Sequence, residues 1–359
     1  MPSAGDLVTV FVLLVAGIFV WAAFSPFEML GWWAGWFGDT IYDDFTPPPP
    51  SPTHAATTTD SYILFFSGVG RATGETLAYR ERDFLQRLDA ALPSTTIIEN
   101  VFPYAVNNLE LTSAPVLARF WRAALSAKAR NIPLAGYLIN IRNIFQTLIS
   151  ADRRYGPLFN QGVAEVILHL LMRYGYDPER PKPVFVIGYS GAGQIALGAC
   201  FYLKEWLRAP VVVVSLGGVF ASDPALLRVD HVYHLVGSRD RVEKASFMAP
   251  GRWRIFPTSE WNRALRQGRV TIVDMGPMDH TGRMGYLDAK TTLPDGTRYI
   301  DYTVGIVADI VRRTKESHAE LLPVPELLDG GPSRALPQAA RDLSLSLDEI
   351  GQMSGSNLT

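Results

Sequence analysis

Cysteine and early positive charge are what this chain most lacks. Its 359 residues include one cysteine, Cys200. That excludes an intrachain disulfide and any Cys-rich metal site, and Cys200 itself reads as a small buried core residue inside a helix. No Lys or Arg precedes Arg71, whereas Asp6, Glu28, Asp39, Asp43, Asp44 and Asp60 do. The formal net charge is −2, and no run of Lys and Arg is present to grip phosphates, so no nucleic-acid partner is expected. No spacing of ligand side chains points to a metal, no cofactor is required by the chemistry below, and no internal repeat is visible. His231 and His234 open a strand and point to opposite faces, which makes them a poor metal pair.

What is plentiful is apolar surface. Hydrophobic residues make up 48% and charged residues 19%, and much of the excess sits at the N-terminus. Residues 7–24, LVTVFVLLVAGIFVWAAF, form an uncharged run of 18 residues. That suits a single crossing of a ~30 Å hydrocarbon core, and the missing basic n-region argues against a cleavable signal peptide. The expectation is a single-pass N-terminal anchor. Without flanking Lys or Arg the charge rule has little to act on, and the extracytoplasmic side is favoured for the rest of the chain. FEMLGWWAGWF follows, with Trp32, Trp33 and Trp36 suited to the headgroup zone, so residues up to 45 read as anchor plus interfacial segment. Residues 46–59, TPPPPSPTHAATTT, read as a semi-rigid polyproline II linker holding the next domain off the bilayer.

From residue 60 to 316 strand and helix patterns alternate, which predicts an α/β domain with a mostly parallel sheet covered by helices on both faces. The expected strands are 61–66, 95–102, 183–190, 211–216, 232–237 and 270–275. Helices are expected at 74–92, 113–130, 133–152, 158–175, from 192 to about 207, and 302–314. Residues 107–160 form a helical insertion. Within it LAGYLINIRNIFQTLI (134–149) is apolar on one face and carries Arg142, fitting a cap over the site, a lipid-facing surface or ordinary core packing. Residues 317–359 mix Pro, Gly, Ser and charge and read as a flexible tail.

The chemistry gathers at FVIGYSGAGQIAL. A buried strand ends, a cluster of small residues follows, and a helical pattern begins, which is the setting of a nucleophile elbow with Ser190 at its apex. Gly188 and Ala192 occupy the −2 and +2 places; Ala departs from the strict G-x-S-x-G form but is small enough to let the turn close. A helix N-terminus beside Ser190 favours a developing negative charge. Such a turn also suits a structural serine or a bound phosphate.

Over residues 60 to about 315 the chain resembles the α/β-hydrolase superfamily. The residues that carry the likeness are GYSGAG, HLVGSRDRV and PMDHTG, in the order Ser, acid, His. The resemblance implies an α/β-hydrolase-like fold and a serine esterase, lipase or thioesterase acting on ester bonds without a cofactor. Among the six histidines, His54 lies in the linker, His169 in a helical pattern, His231 and His234 at a strand start, and His318 in the tail. His280 follows the last strand in a short Gly-containing loop, where the superfamily keeps its base. Asp240, in GSRDRV after VYHLVG, is where the resemblance implies the triad carboxylate; Arg239 and Arg241 also suit it to a surface charge cluster. Asp223 is the alternative acid. Asp274 and Asp279 are too close to His280 in sequence to orient it. The oxyanion hole is expected from the backbone N–H groups of Gly191 and Val69, with Gly68 or Gly70 as alternatives to Val69.

Two other classes compete. Gly68, Gly70 and Gly74 after a strand, with Glu99 further on, form a loose dinucleotide fingerprint and would suit an oxidoreductase. A catalytically inactive binding or scaffold protein on the same fold is the other. The apolar insertion and the anchor favour a lipid or other hydrophobic acyl ester as substrate.

Overall fold

The computed structural model describes residues 3–34, 59–71, 77–105, 126 and 133–321. Six strands form one sheet: β1 (Ser61–Phe66), β2 (Thr95–Ile98), β3 (Val184–Tyr189), β4 (Val211–Leu216), β5 (His231–Val236) and β6 (Val270–Asp274). Their spatial order is β2-β1-β3-β4-β5-β6 and every neighbouring pair is parallel. The chain belongs to the α/β class. β1, β3 and β4 are buried at every position, and this explains why they read as unbroken apolar runs: helices cover both faces of a parallel sheet.

Along β1 the side chains alternate between the two layers. Tyr62, Leu64 and Phe66 enter one core with α5 (Gly156–Arg173), α6 (Ala192–Trp206) and α7 (Glu260–Arg266). Ile63 and Phe65 enter the other with α3 (Tyr79–Ala91) and α8 (Tyr299–Leu321). α4 (Pro133–Ala151) contributes Ile139 and Ile149 to the first core.

The chain runs from β1 to β2 on one side, then returns to lay β3 on the other side of β1. The connections after β1 and β3 therefore leave for opposite sides, which makes the carboxyl edge between them a topological switch point, the place where open α/β sheets bind ligands.

Some boundaries differ from expectation. β2 stops at Ile98, the last residue paired with β1 through Leu64. Beyond it the carbonyls of Glu99 and Val101 accept from the Arg71 guanidinium instead of continuing the ladder. α8 runs to Leu321, past both 314 and 317. The region 74–76, the helix expected at 113–130 apart from Ser126, nearly all of the linker and the chain beyond 321 lie outside the described residues.

The N-terminal segment forms α1 (Ala4–Phe24) and α2 (Pro26–Trp33). Ser3 caps α1: its hydroxyl accepts from Asp6 N–H at 3.2 Å while Asp6 accepts from Ser3 N–H at 2.8 Å, a reciprocal capping box. Residues Val8–Gly31 are long and apolar enough to cross a membrane. The aromatic segment after Pro26 is not purely interfacial. Met29 is 1% exposed and belongs to the first core, with Trp21 and Leu30 packed against it. Trp33 donates its indole N–H to the Leu158 carbonyl at 3.2 Å. Burying a methionine side chain stabilises by about 1.5–3 kcal/mol, which holds α2 on the domain.

Candidate active site

Ser190 is the first residue past β3, and its φ is +58°. A side chain in this left-handed region is strained by about 1–2 kcal/mol, and local packing enforces it. Ser190 N–H donates to the Leu216 carbonyl at 3.1 Å, while its own carbonyl accepts from Gly193 and Val219 N–H at 3.0 and 3.1 Å. Glycine is required at 188: a Cβ there would lie 2.7 Å from Gly193 Cα and 2.9 Å from Ala196 Cβ. Gly191 is the N-cap of α6, so the hydroxyl of Ser190 stands beside the positive end of that helix.

Ser190 Oγ lies 2.8 Å from His280 Nε2, and His280 Nδ1 lies 2.8 Å from Asp240 Oδ2. Asp240 is fully buried. Its Oδ1 accepts from Val242 and Glu243 N–H at 2.8 and 2.9 Å. Burial pushes its carboxyl up, but the hydrogen bonds from His280 and Glu243 N–H, the His280 charge and the Tyr286 hydroxyl outweigh it and hold the carboxyl below the ordinary aspartate value. An ionised carboxylate only accepts. Nδ1 of the imidazole therefore carries a proton towards Asp240, and Nε2 faces the Ser190 hydroxyl.

Two tyrosines complete the arrangement, and neither was singled out from sequence. Tyr286 receives Gly237 N–H at 2.7 Å and donates its hydroxyl to Asp240 Oδ2 at 2.8 Å. Burial, then the Asp240 charge, pushes the Tyr286 phenol far up and keeps it a donor. Tyr189 donates to the His280 carbonyl at 2.7 Å and stacks on its ring at 5.5 Å, 20° from parallel. The imidazole is thus fixed from its backbone, its face and its far nitrogen.

A second buried polar line supports the acid. His234 Nδ1 lies 3.0 Å from Ser215 Oγ and Nε2 lies 3.0 Å from Glu243 Oε1. The Arg252 guanidinium reaches Glu243 at 3.4 Å and lies 3.9 Å over the Trp261 ring. Burial pushes the His234 imidazole down despite Glu243. Since Glu243 N–H binds Asp240, this line fixes the loop that carries the acid. Asp223, the alternative acid, is spent elsewhere: it accepts from Ala225 N–H and Gln194 Nε2, each at 2.9 Å.

The loop after β1 is anchored at each turn. Tyr104 Oη donates to the Ser67 carbonyl at 2.9 Å, and Asn143 Nδ2 donates to the carbonyls of Val69 and Arg71 at 2.7 and 2.6 Å. Gly68 and Ser190 touch: a Cβ on Gly68 would meet Ser190 Cβ at 3.3 Å. A Cβ on Gly191 would meet Val69 Cγ1 at 2.7 Å and Thr147 Oγ1 at 3.3 Å. Val69 and Gly191, the two expected oxyanion donors, are therefore neighbours. Among the described residues neither N–H is spent on a backbone partner outside the helices and strands. Of the loose dinucleotide fingerprint, Gly68 serves this close approach, Glu99 lends its carbonyl to Arg71, and Gly74 lies outside the described residues. Among the described residues no group of three or more His, Cys, Asp or Glu side chains is placed to hold a metal ion.

No protein-family model matches the chain, and no curated protein matches it significantly.

Proposed function

We propose that this chain is a membrane-anchored serine hydrolase of the α/β-hydrolase type, cleaving a carboxylic ester of a lipid or other hydrophobic acyl compound. The observation that carries the reading is the unbroken line Ser190–His280–Asp240, with both contacts at 2.8 Å, starting from a serine held at φ +58°. His280 Nε2 takes the hydroxyl proton as Ser190 Oγ attacks the acyl carbon. Asp240 stabilises the imidazolium and fixes its orientation. The oxyanion accepts from Gly191 and Val69 N–H. The tetrahedral intermediate collapses, the alcohol leaves with the proton from His280, and the acyl group stays on Ser190. Water then gives a proton to His280, attacks the acyl carbon and releases the acid, restoring the serine hydroxyl. The apolar span Val8–Gly31, whose α1 part exposes Val8, Val10, Val12, Leu13, Phe19, Val20 and Phe24, supports the anchor.

The test is labelling by a fluorophosphonate probe together with turnover of a short-chain chromogenic ester. Wild type is expected to label and turn over, and Ser190→Ala to do neither while keeping its fold. Unchanged turnover in Ser190→Ala would remove the serine from the chemistry. A folded wild type that neither labels nor turns over would favour a binding role for the fold.

A further inference from the structure

α4 buries two apolar side chains, Ile139 and Ile149, and otherwise turns polar groups inward. The side chains it buries are mostly polar: Arg142, Gln146 and Ser150 are each 2% exposed and Asn143 is 0%. Its large exposed side chains are apolar: Tyr137 at 64%, Ile144 at 44% and Leu148 at 59%, with Ile141 half-buried on the same stripe. In water an amphipathic helix does the reverse. The polar inner face has a use: Arg142 donates to the Tyr104 carbonyl, Asn143 holds the loop after β1, and Thr147 packs on Gly191. Among the described residues nothing covers the apolar outer face, and an exposed apolar stripe marks a surface that meets something apolar.

The neighbourhood says what that is. Trp21 of α1 packs edge-on against Phe145 of α4, with ring centroids 5.7 Å apart. Phe145 lies between Ile144 and Leu148 in sequence. α1, which makes this contact, also exposes Phe19, Val20 and Phe24, and the Phe24 ring meets exposed Phe27 of α2 at 5.5 Å. No charged side chain interrupts the stripe.

We propose that Tyr137, Ile141, Ile144 and Leu148 lie in the surface of the lipid bilayer beside α1, and that acyl substrate reaches Ser190 from the lipid along this helix. The inference rests on the anchored-hydrolase reading above and adds the route by which substrate arrives. Thr147, against Gly191, adjoins Leu148 on the outer stripe. The lipid surface and the acyl-accepting serine are then separated by about one helix width, ~10 Å.

The test uses the full chain in phosphatidylcholine vesicles with brominated acyl chains. A fluorophore is placed on Leu148→Cys, on Phe19→Cys within α1, and on Asp295→Cys in an exposed loop; native Cys200 is buried and stays silent. Quenching by bromolipid at 148 and 19 but not at 295 is expected. Quenching at 19 without quenching at 148 overturns the inference and spares the anchor. A label at 148 that neither bromolipid nor an aqueous quencher reaches would put a protein partner or another part of this chain over the stripe, which also overturns it. No quenching at 19 removes the anchor and the inference together.

A second arm compares substrates in the double variant Ile144→Ser, Leu148→Ser. Hydrolysis of a vesicle-embedded long-chain ester is expected to fall about tenfold, the scale of losing roughly one buried apolar side chain from lipid, with a water-soluble short ester unaffected. An equal loss on both esters, or on neither, overturns the proposed route. Loss of the hydrolase reading would show separately, as turnover surviving Ser190→Ala, and leaves the quenching pattern unchanged.

Discussion

Ser190→Gly and Ser190→Ala form a pair whose difference isolates the strain at the elbow. Both remove the hydroxyl and its 2.8 Å contact with His280, so that loss cancels between them. They differ in whether a Cβ is carried at φ +58°. The left-handed conformation costs a Cβ-bearing residue about 1–2 kcal/mol. Glycine escapes this but loses about 0.4–1 kcal/mol through the greater freedom of its unfolded chain. The balance leaves the Gly variant more stable by about 0.5–1 kcal/mol, whereas at an ordinary helix or strand position alanine leads by about the same margin. The sign is therefore the readout. For a domain of this size the gap corresponds to about 1–4 °C in melting temperature. Urea unfolding of both variants in detergent micelles, followed by tryptophan fluorescence, should give a higher midpoint for Gly at an unchanged slope. Both variants should be inactive on esters. An alanine variant as stable as the glycine variant, or more so, would show that the turn stores no strain at 190 and would refute the reasoning.

Three further outcomes follow from the same geometry. Tyr286→Phe removes a donor from Asp240 and leaves Gly237 N–H without its partner; stability should fall by about 2 kcal/mol and kcat about tenfold, and an unaltered kcat/KM would count against the positioning role. Gly188→Ala drives a Cβ to within 2.7 Å of Gly193 Cα and 3.0 Å of the Ala192 carbonyl; a loss of about 1–3 kcal/mol is expected, and an unchanged denaturation midpoint would contradict it. Part of the pH dependence follows from His234, whose folded-state affinity for a proton is depressed by burial, as are those of His169 and His231. Below its unfolded value near 6.5 the unfolded chain takes up a proton that the folded chain refuses, so stability falls as pH drops from 7.5 to 5.5, by up to about 1.4 kcal/mol per pH unit. His234→Gln should make that slope shallower, leaving the share of His169 and His231, and an identical slope would assign it wholly to them.

Much of the frame was legible because buried parallel strands write themselves as continuous apolar runs. VVVVSL is β4 from end to end, and SYILFF is β1. The sharp turn at Ser190 was legible because small residues at 188, 191 and 193 are needed where backbones touch. What escaped the sequence is what depends on distance through space. Tyr286 has no local signature; its role exists because the turn after His280 brings it back under Asp240. Tyr189 looked like one more strand residue, yet its hydroxyl holds the backbone of His280. Asp223 and Asp240 both follow strands, and only their hydrogen-bond partners separate them. Tryptophan suits a headgroup zone and a protein surface alike, so the segment holding Trp32, Trp33 and Trp36 gave no sign that Met29 within it is buried in the core. The apolar pattern of α4 was visible, but its direction was not, because either face of a helix can be turned inward when the inward face has carbonyls to satisfy.

The burial of Met29 bears on how the molecule is mounted. A chain tethered by a slack tail can tumble and present any side to the surface below it. Here α2, which follows α1 directly, is seated in the body through Met29, so α1 leaves the body in a set direction. Trimming the protein back to the globular part, a common way to make such proteins easier to handle, would pull a peg from its socket and leave a sticky notch behind.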